Sequence, residues 1–359
     1  MQSNTTYRDK DGAIQVIVSF KDRYGKWRQR SAQGFQRKKD AKKAAEAIVD
    51  ELKETHALGL DAELEGITFK EFMEMHLEHL KLYKEPNTVT NYQQTAKKFN
   101  QLDKQELPKI TAMHVQAAVD DMVRSGLKAS TVKSHVNRLR TLFKTAVSPY
   151  KIITKNPVTD IKLPLEKKAA RDRALSTGDL DKLLSSIASQ KKRTMSLLAA
   201  KCGLRLGEIV GLTWEDLNFV KSQLSINKQW KKRKDGTWGF GELKSKASYR
   251  VVPLPKSVLQ ALQEYKKIYP ASIDKRLFPY SQPGAAGTEL NNTYKSLGFD
   301  ISIHGLRHTF ATMLIANGMD LRTAAQLLGH TPEETIRTYS HVTSDMLERA
   351  AKAVDDIFG

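Results

Sequence analysis

The chain has 359 residues, 59 lysines and arginines against 40 aspartates and glutamates, a net charge of +19 and a pI near 9.7, which allows two or three domains and favours a polyanionic partner, nucleic acid being the simplest. A lone cysteine, Cys202, excludes an internal disulfide and a cysteine-based metal cluster. No apolar run approaches the ~20 residues that span a bilayer and the start M-Q-S-N-T-T-Y-R has no signal-peptide core, so a cytoplasmic protein is expected.

Residues 1 to about 60 read as a first unit. Ala13 to Phe20, A-I-Q-V-I-V-S-F, alternates β-branched residues, and Asp22-Arg23-Tyr24-Gly25 supplies turn chemistry before a second strand, Lys26 to Ser31. From Lys38 to Lys53 the apolar spacing becomes helical, with Ala41, Ala44, Ala45, Ile48, Val49 and Leu52 on one stripe that can cover the hairpin. Trp27, Arg28 and Arg30 stand on the second strand, which reads either as a strand that enters a DNA groove or as a solvated edge.

Ala57 to Gly66 suits a linker. Thr68 with Glu71 forms a capping-box pattern, and Phe69, Phe72, Met73, His76 and Leu80 mark one helical face behind it. Further helices are predicted over Asn87 to Phe99, Thr111 to Arg124 and Ser130 to Val147, giving an all-helical domain over 66–165. The last turns Val132, Val136, Leu139, Leu142, Phe143 and Ala146 inward and leaves cations outside; Lys128, Lys133 and Arg140 are candidate phosphate contacts, with an ordinary solvated face as the alternative. Pro157 and Pro164, then E-K-K-A-A-R-D-R at 166–173, read as an interdomain linker.

The third domain is expected over 172–359. Ser176 with Asp179 signals a helix start, followed by Leu180, Leu183, Leu184 and Ile187 at helical spacing. A second helix, Thr194 to Cys202, delivers Arg205 just past its end, with Cys202 a small buried neighbour. Short strands over Leu224 to Lys228, Gly239 to Leu243 and Arg250 to Leu254 form a small antiparallel sheet, interrupted by the polar loop Lys231 to Gly236. Val258 to Ile268 is an amphipathic helix and Pro279 to Gly287 a loop. The fold class is therefore α+β and multidomain: a small sheet with a helix, an all-α domain, and a mainly α domain with a small antiparallel sheet.

The chemistry gathers from Arg205 onward. In G-L-R-L-G-E, Glu208 lies three residues beyond Arg205 and can brace it on the same helical face. A helix beginning near Ser302 would set His304, Arg307 and His308 of I-H-G-L-R-H on one face, a surface suited to an anion. His330 ends L-L-G-H, which also reads as a helix end with a glycine cap, and nine residues later Tyr339 stands in T-Y-S-H-V, either a packing tyrosine or a nucleophile. Cations converging on a phenol suit phosphoryl transfer, where catalysis is mainly positioning and stabilisation of spread negative charge.

These motifs, G-L-R-L-G-E, H-G-L-R, L-L-G-H and the downstream tyrosine, resemble the tyrosine recombinases of the phage-integrase family over the last half of the chain. The resemblance implies that Tyr339 attacks a scissile phosphate to give a 3′-phosphotyrosyl link, while Arg205 and Arg307 hold its non-bridging oxygens. It also implies that His330 donates to the phosphate, that His304 is a base or hydrogen-bonding partner for the tyrosine, and that Glu208 supports Arg205. A hairpin lysine would protonate the departing 5′-oxygen; Lys244 fits the family's element best and Lys246 is the alternative. Residues 1–60 would be an arm-binding module, 66–165 a core-binding domain and 172–359 the catalytic domain. No metal and no cofactor are expected. The expected partners are double-stranded DNA at core and arm sites, a homotetramer on DNA, and host or element-encoded DNA-bending and directionality proteins; the apolar stripe of Ser344 to Phe358 either packs on its own domain or, as the resemblance implies, docks on a neighbouring protomer. A type IB topoisomerase-like relaxing enzyme and a catalytically silent DNA-binding regulator stay open as alternatives.

Overall fold

A computed structural model of the protein describes residues 3–21, 27–57, 66–165, 174–269 and 274–339. The predicted turn at Asp22–Gly25, most of both linkers and the stripe after Ser344 lie outside the described residues. The chain forms two compact units, Met1–Lys167 and Lys168–Gly359.

The first unit opens with three antiparallel strands in the order β1 (Ser3–Lys10), β2 (Ala13–Lys21), β3 (Trp27–Phe35), with α1 (Lys38–Ala57) following. The central strand buries Val16, Val18 and Phe20 in one cluster with Ala45 and Leu52 of α1. Strand β1 was not expected: seven of its eight residues are exposed, so it carries no apolar alternation and is held by its ladder to β2. The register also divides the residues grouped on β3. Arg28 and Arg30 stand opposite Phe20 and Val18 and so share the helix-covered face, whereas Trp27 stands opposite Lys21 on the other face. Arg30 pairs with Glu51 of α1 at 3.1 Å, and the Lys21 ammonium lies 5.5 Å from the Trp27 ring centre. One strand thus offers an aromatic to one side and its two arginines to the other.

Four helices build the next domain: α2 (Phe69–Tyr83), α3 (Pro86–Lys98), α4 (Ala112–Arg124) and α5 (Ala129–Val147). Thr68 caps α2 as expected, its hydroxyl accepting from Glu71 N while the Glu71 carboxylate accepts from Thr68 N at 2.8 Å. All five residues of the predicted α2 face are buried, and Val132, Val136, Leu139, Leu142, Phe143 and Ala146 of α5 are at 0% exposure. Lys128 and Lys133 are exposed. Arg140 is half-buried: its Nε donates to the Val158 carbonyl at 3.0 Å and its Nη1 to Asn137 Oδ1 at 2.7 Å, so it also ties down the segment after α5.

In the second unit α6 (Thr177–Ser186) begins at the predicted cap, Ser176 Oγ accepting from Asp179 N at 3.1 Å. Then follow α7 (Gln190–Cys202), α8 (Leu206–Val210), β4 (Leu217–Asn218), β5 (Gln223–Ile226), β6 (Gln229–Lys232), β7 (Trp238–Gly241) and β8 (Arg250–Pro253). The expected single sheet is two: β4-β5-β8, and a separate β6-β7 hairpin. The loop predicted from Lys231 begins later, because Lys231 and Lys232 pair with Gly239 and Trp238. Helices α9 (Lys256–Ile268), α10 (Pro283–Ser296), α11 (Ile303–Ala316) and α12 (Leu321–Leu328) follow, and 332–339 are helical, α13. Pro283 does not end a loop but starts α10, its first-turn position needing no N–H. Among the described residues no helix is long and apolar enough to cross a membrane.

Candidate active site

The site is built where α7, α11 and α12 end or begin. Gly203 closes α7 in the left-handed region, φ 65°, and a Cβ there would lie 2.5 Å from the Phe310 ring of α11, so glycine is required twice over. The chain then turns into α8 with Arg205 at its N-cap, where Glu208 Oε2 accepts from Arg205 N at 2.8 Å and Oε1 from Arg205 Nη1 at 3.0 Å. Arg205 Nη2 crosses to the Gly329 carbonyl at 2.9 Å.

Glu208 is 2% exposed and serves a second arginine that the sequence reading missed. Arg250, the first residue of β8, places Nη1 3.1 Å from Glu208 Oε1 and Nη2 2.9 Å from Oε2, with its Nε on the Leu327 carbonyl at 2.8 Å. Burial would raise the Glu208 carboxyl, but the Arg250 hydrogen bonds and charge, with Arg307 and Arg205 behind them, hold it below the usual range. A signal existed in S-Y-R-V-V-P: strand alternation puts Arg250 on the same face as the buried Val252, and Val251 and Pro253 outside.

Arg307, on the first turns of α11, is 2% exposed and points into the same junction. It donates to the Gly203 carbonyl and, at 2.6 Å, to the Leu328 carbonyl, while Nη2 lies 2.8 Å from His330 Nε2. Burial first, then the Arg205 charge, lower it to about 9, which leaves it protonated near neutral pH. Gly329 caps α12 in the left-handed region, φ 63°, as the L-L-G-H pattern suggests, and presents His330 to Arg307. Burial, then Arg307 and Arg205, lower His330 to about 4, so the ring is neutral and Nε2 accepts from Arg307. Its Nδ1 is buried without a partner among the described residues.

Tyr339 lies on α13 and is 2% exposed, packed with Ala311, Ile315, Ala324 and Leu328. Its hydroxyl lies 2.8 Å from His308 Nδ1. Burial raises the phenol to about 12 against the opposing charge of Arg307. The shared face expected for α11 holds for the two histidines, whose rings stand edge-on with centres 4.7 Å apart, but His304 is exposed and the contact with the tyrosine belongs to His308. Lys244 and Lys246 are both exposed on the loop from β7 to β8. That loop runs close to the site: a Cβ at Gly329 would lie 3.0 Å from Ser248 Cα and 3.3 Å from the Ala247 carbonyl oxygen. Cys202 is buried, as expected, and burial pushes its thiol up to about 12.

Among the described residues three guanidinium groups therefore gather around the Glu208 carboxylate and the Gly203 and Gly329 turns, and Arg307 has only carbonyls and an imidazole for partners in the hydrogen bonds described. Such an excess of buried positive charge is a standing demand for an anion, and Arg205, one third exposed, is its open side.

Comparison with known proteins agrees along the chain. Residues 173–346 match the model of the phage integrase family, 68–123 that of a phage integrase N-terminal SAM-like domain and 5–52 that of an arm DNA-binding domain. A tyrosine recombinase XerC-like protein of Caldanaerobacter subterraneus is 26% identical over 353 residues, covering 88% of this chain and 90% of that one. The ICEBs1 integrase of Bacillus subtilis is 24% identical, covering 81% and 84%. Among solved structures, the Tn1549 transposon integrase in complex with transposon right-end DNA superposes with a TM-score of 0.68 at 21% identity, over 79% of this chain and 100% of that one. A lambda integrase dimer bound to a COC′ core site superposes with a TM-score of 0.56 at 19% identity, over 92% and 94%. With the three models falling in order along the sequence and the catalytic motifs folded into one site, the chain belongs to the phage integrase family of tyrosine recombinases.

Proposed function

We propose that this recombinase is the integrase of a phage or integrative mobile element, cutting and rejoining double-stranded DNA through a 3′-phosphotyrosyl intermediate on Tyr339. The observation that carries the reading is the convergence of Arg205, Arg307 and His330 on the L-G-H turn, next to the hydrogen-bonded phenol. A scissile phosphate seated there would take Arg205 and Arg307 on its non-bridging oxygens, and the charge that builds during attack would be met by groups already aligned. His330 would exchange its Arg307 contact for the phosphate, Glu208 would keep Arg205 aimed, and Lys244 would protonate the leaving 5′-oxygen, with Lys246 the alternative donor on the same loop. His304, exposed at the start of α11, would meet the DNA backbone. The covalent link would conserve the energy of the broken bond for resealing, without a cofactor.

The three modules would divide the work: 1–60 on arm sites, 66–165 with 172–359 around the core site. Lys128 and Lys133 remain phosphate contacts in this reading. On the sheet of residues 3–35 the uncovered face offers Arg8, Lys21, Trp27 and Gln29, which makes it a better groove reader than the face of Arg28 and Arg30. The active form would be a homotetramer on DNA, in the cytoplasm, assisted by DNA-bending and directionality proteins of the host or element.

Incubating the protein with fragments that flank its own gene and sequencing the covalently trapped ends tests the reading. A recombinase yields a few fixed 3′ ends and four-way junctions; a relaxing enzyme yields scattered ends without junctions, and a silent regulator yields none.

A further inference from the structure

The tyrosine has to lose a proton, and the structure singles out where it can go. Tyr339 is almost wholly buried, so bulk water is a poor acceptor, and Arg307 beside it is a cation with no lone pair to offer. Among the described residues the group in hydrogen-bond reach is an imidazole nitrogen: His308 Nδ1 at 2.8 Å from Oη, the two rings 5.8 Å apart and inclined at 56°. The backbone fixes this pairing. His308 follows Arg307 directly on α11, so the turn that carries the arginine to the Leu328 carbonyl aims the next side chain at α13, while His304, one turn earlier, is exposed.

We infer that His308 is a catalytic residue of this chain: its Nδ1 takes the phenol proton as Tyr339 attacks and returns it when the strand is resealed. The inference rests on the reading of Tyr339 as nucleophile. In cleavage the Oη–H bond breaks with its proton passing to Nδ1, the Oη–P bond forms, and the P–O5′ bond breaks as O5′ takes a proton from the hairpin lysine. Resealing runs backwards. The 5′-hydroxyl gives its proton to the lysine and attacks phosphorus, and Oη leaves as the His308 imidazolium hands its proton back. The imidazolium stands next to Arg307, a cost that the bound phosphate offsets, so the transfer is coupled to an occupied site.

Single-turnover cleavage decides this, using nicked duplexes that carry the joined ends of the DNA flanking the gene, with an ordinary scissile phosphate or with sulfur at the bridging 5′ position. A thiolate leaves without needing a proton. His308→Ala and His308→Asn should cut about 10²–10⁴-fold more slowly than wild type on both substrates, with DNA affinity unchanged. Lys244→Ala with Lys246→Ala should be slow on the ordinary substrate only. Asparagine keeps an acceptor near the Nδ1 position but takes no proton, so H308N separates proton transfer from positioning and guards against a folding defect in H308A. H308N cutting at the wild-type rate overturns the inference, as does rescue of H308A by the bridging sulfur. A wild-type protein that forms no adduct on any of these duplexes overturns the recombinase reading itself.

Discussion

The helical domain over 66–165 and the catalytic unit bury different things. The first packs Phe69, Phe72, Phe99, Leu139 and Phe143 into one apolar cluster and has few buried polar groups, chiefly His76, Thr95 and His135. The second has an apolar cluster of its own, but it also takes Glu208, Arg250 and Arg307 out of water in one hydrogen-bonded junction. Apolar burial tolerates many solutions, whereas a buried ion network has one geometry and fails if a member is lost. The comparison teaches that in this chain stability and function are separable in the helical domain and fused in the catalytic unit.

The sharpest way to break the comparison is Arg250→Met. It leaves Glu208 buried and short of its bidentate partner, a loss of about 3–5 kcal/mol in the catalytic unit's unfolding transition, and it should also cut DNA cleavage because Glu208 braces Arg205. Equal stability of R250M and wild type in chemical denaturation would contradict the account.

Acid probes the other side. Burial, with a smaller effect of His79, lowers His76 to about 4, and neither ring nitrogen has a hydrogen-bond partner among the described residues. Unfolded, the ring titrates near 6.5, so between pH 6.5 and 4 the unfolded chain holds a proton that the folded domain refuses. Stability from this group is complete above pH 6.5 and falls by about 3 kcal/mol as pH drops towards 4. His76→Phe should remove that slope from the helical domain's transition, while His330, lowered to the same value by burial and its arginines, leaves an acid slope in the catalytic unit.

The smallest effect expected is Thr68→Ala, which loses the α2 capping box and about 1 kcal/mol of helical-domain stability with no change in cleavage chemistry. A changed cleavage rate on pre-bound DNA would show that the separation drawn here is wrong.

The same contrast governs what the sequence reveals. Every inward residue predicted for α2 and α5 is buried, because a 3.6-residue apolar period follows directly from a helix with one dry face. The motifs of the candidate site were also legible, since Arg205, Glu208, Arg307, His330 and Tyr339 lie in short ordered segments. What stayed hidden depends on contacts far apart in sequence or on alternation in polar strands. Arg250 meets Glu208 across 42 positions, and the choice of His308 over His304 is made by α13, which no local pattern on α11 encodes. Strand β1 is too polar to announce itself, and Arg140 reads as a surface cation until Val158 folds back on it. Residues Trp27, Arg28 and Arg30 look like one reader until the register places them on two faces.

At the centre of the account is the proposal that a single phenol, that of Tyr339, becomes covalently joined to DNA. Replacing Tyr339 by phenylalanine removes only the oxygen bonded to His308 and leaves the ring in its apolar seat. Denaturing-gel detection of protein–DNA adducts on the trapped duplexes should show them with the wild type and none with Y339F, at undiminished DNA affinity. Adducts of Y339F at the same phosphate would contradict the account.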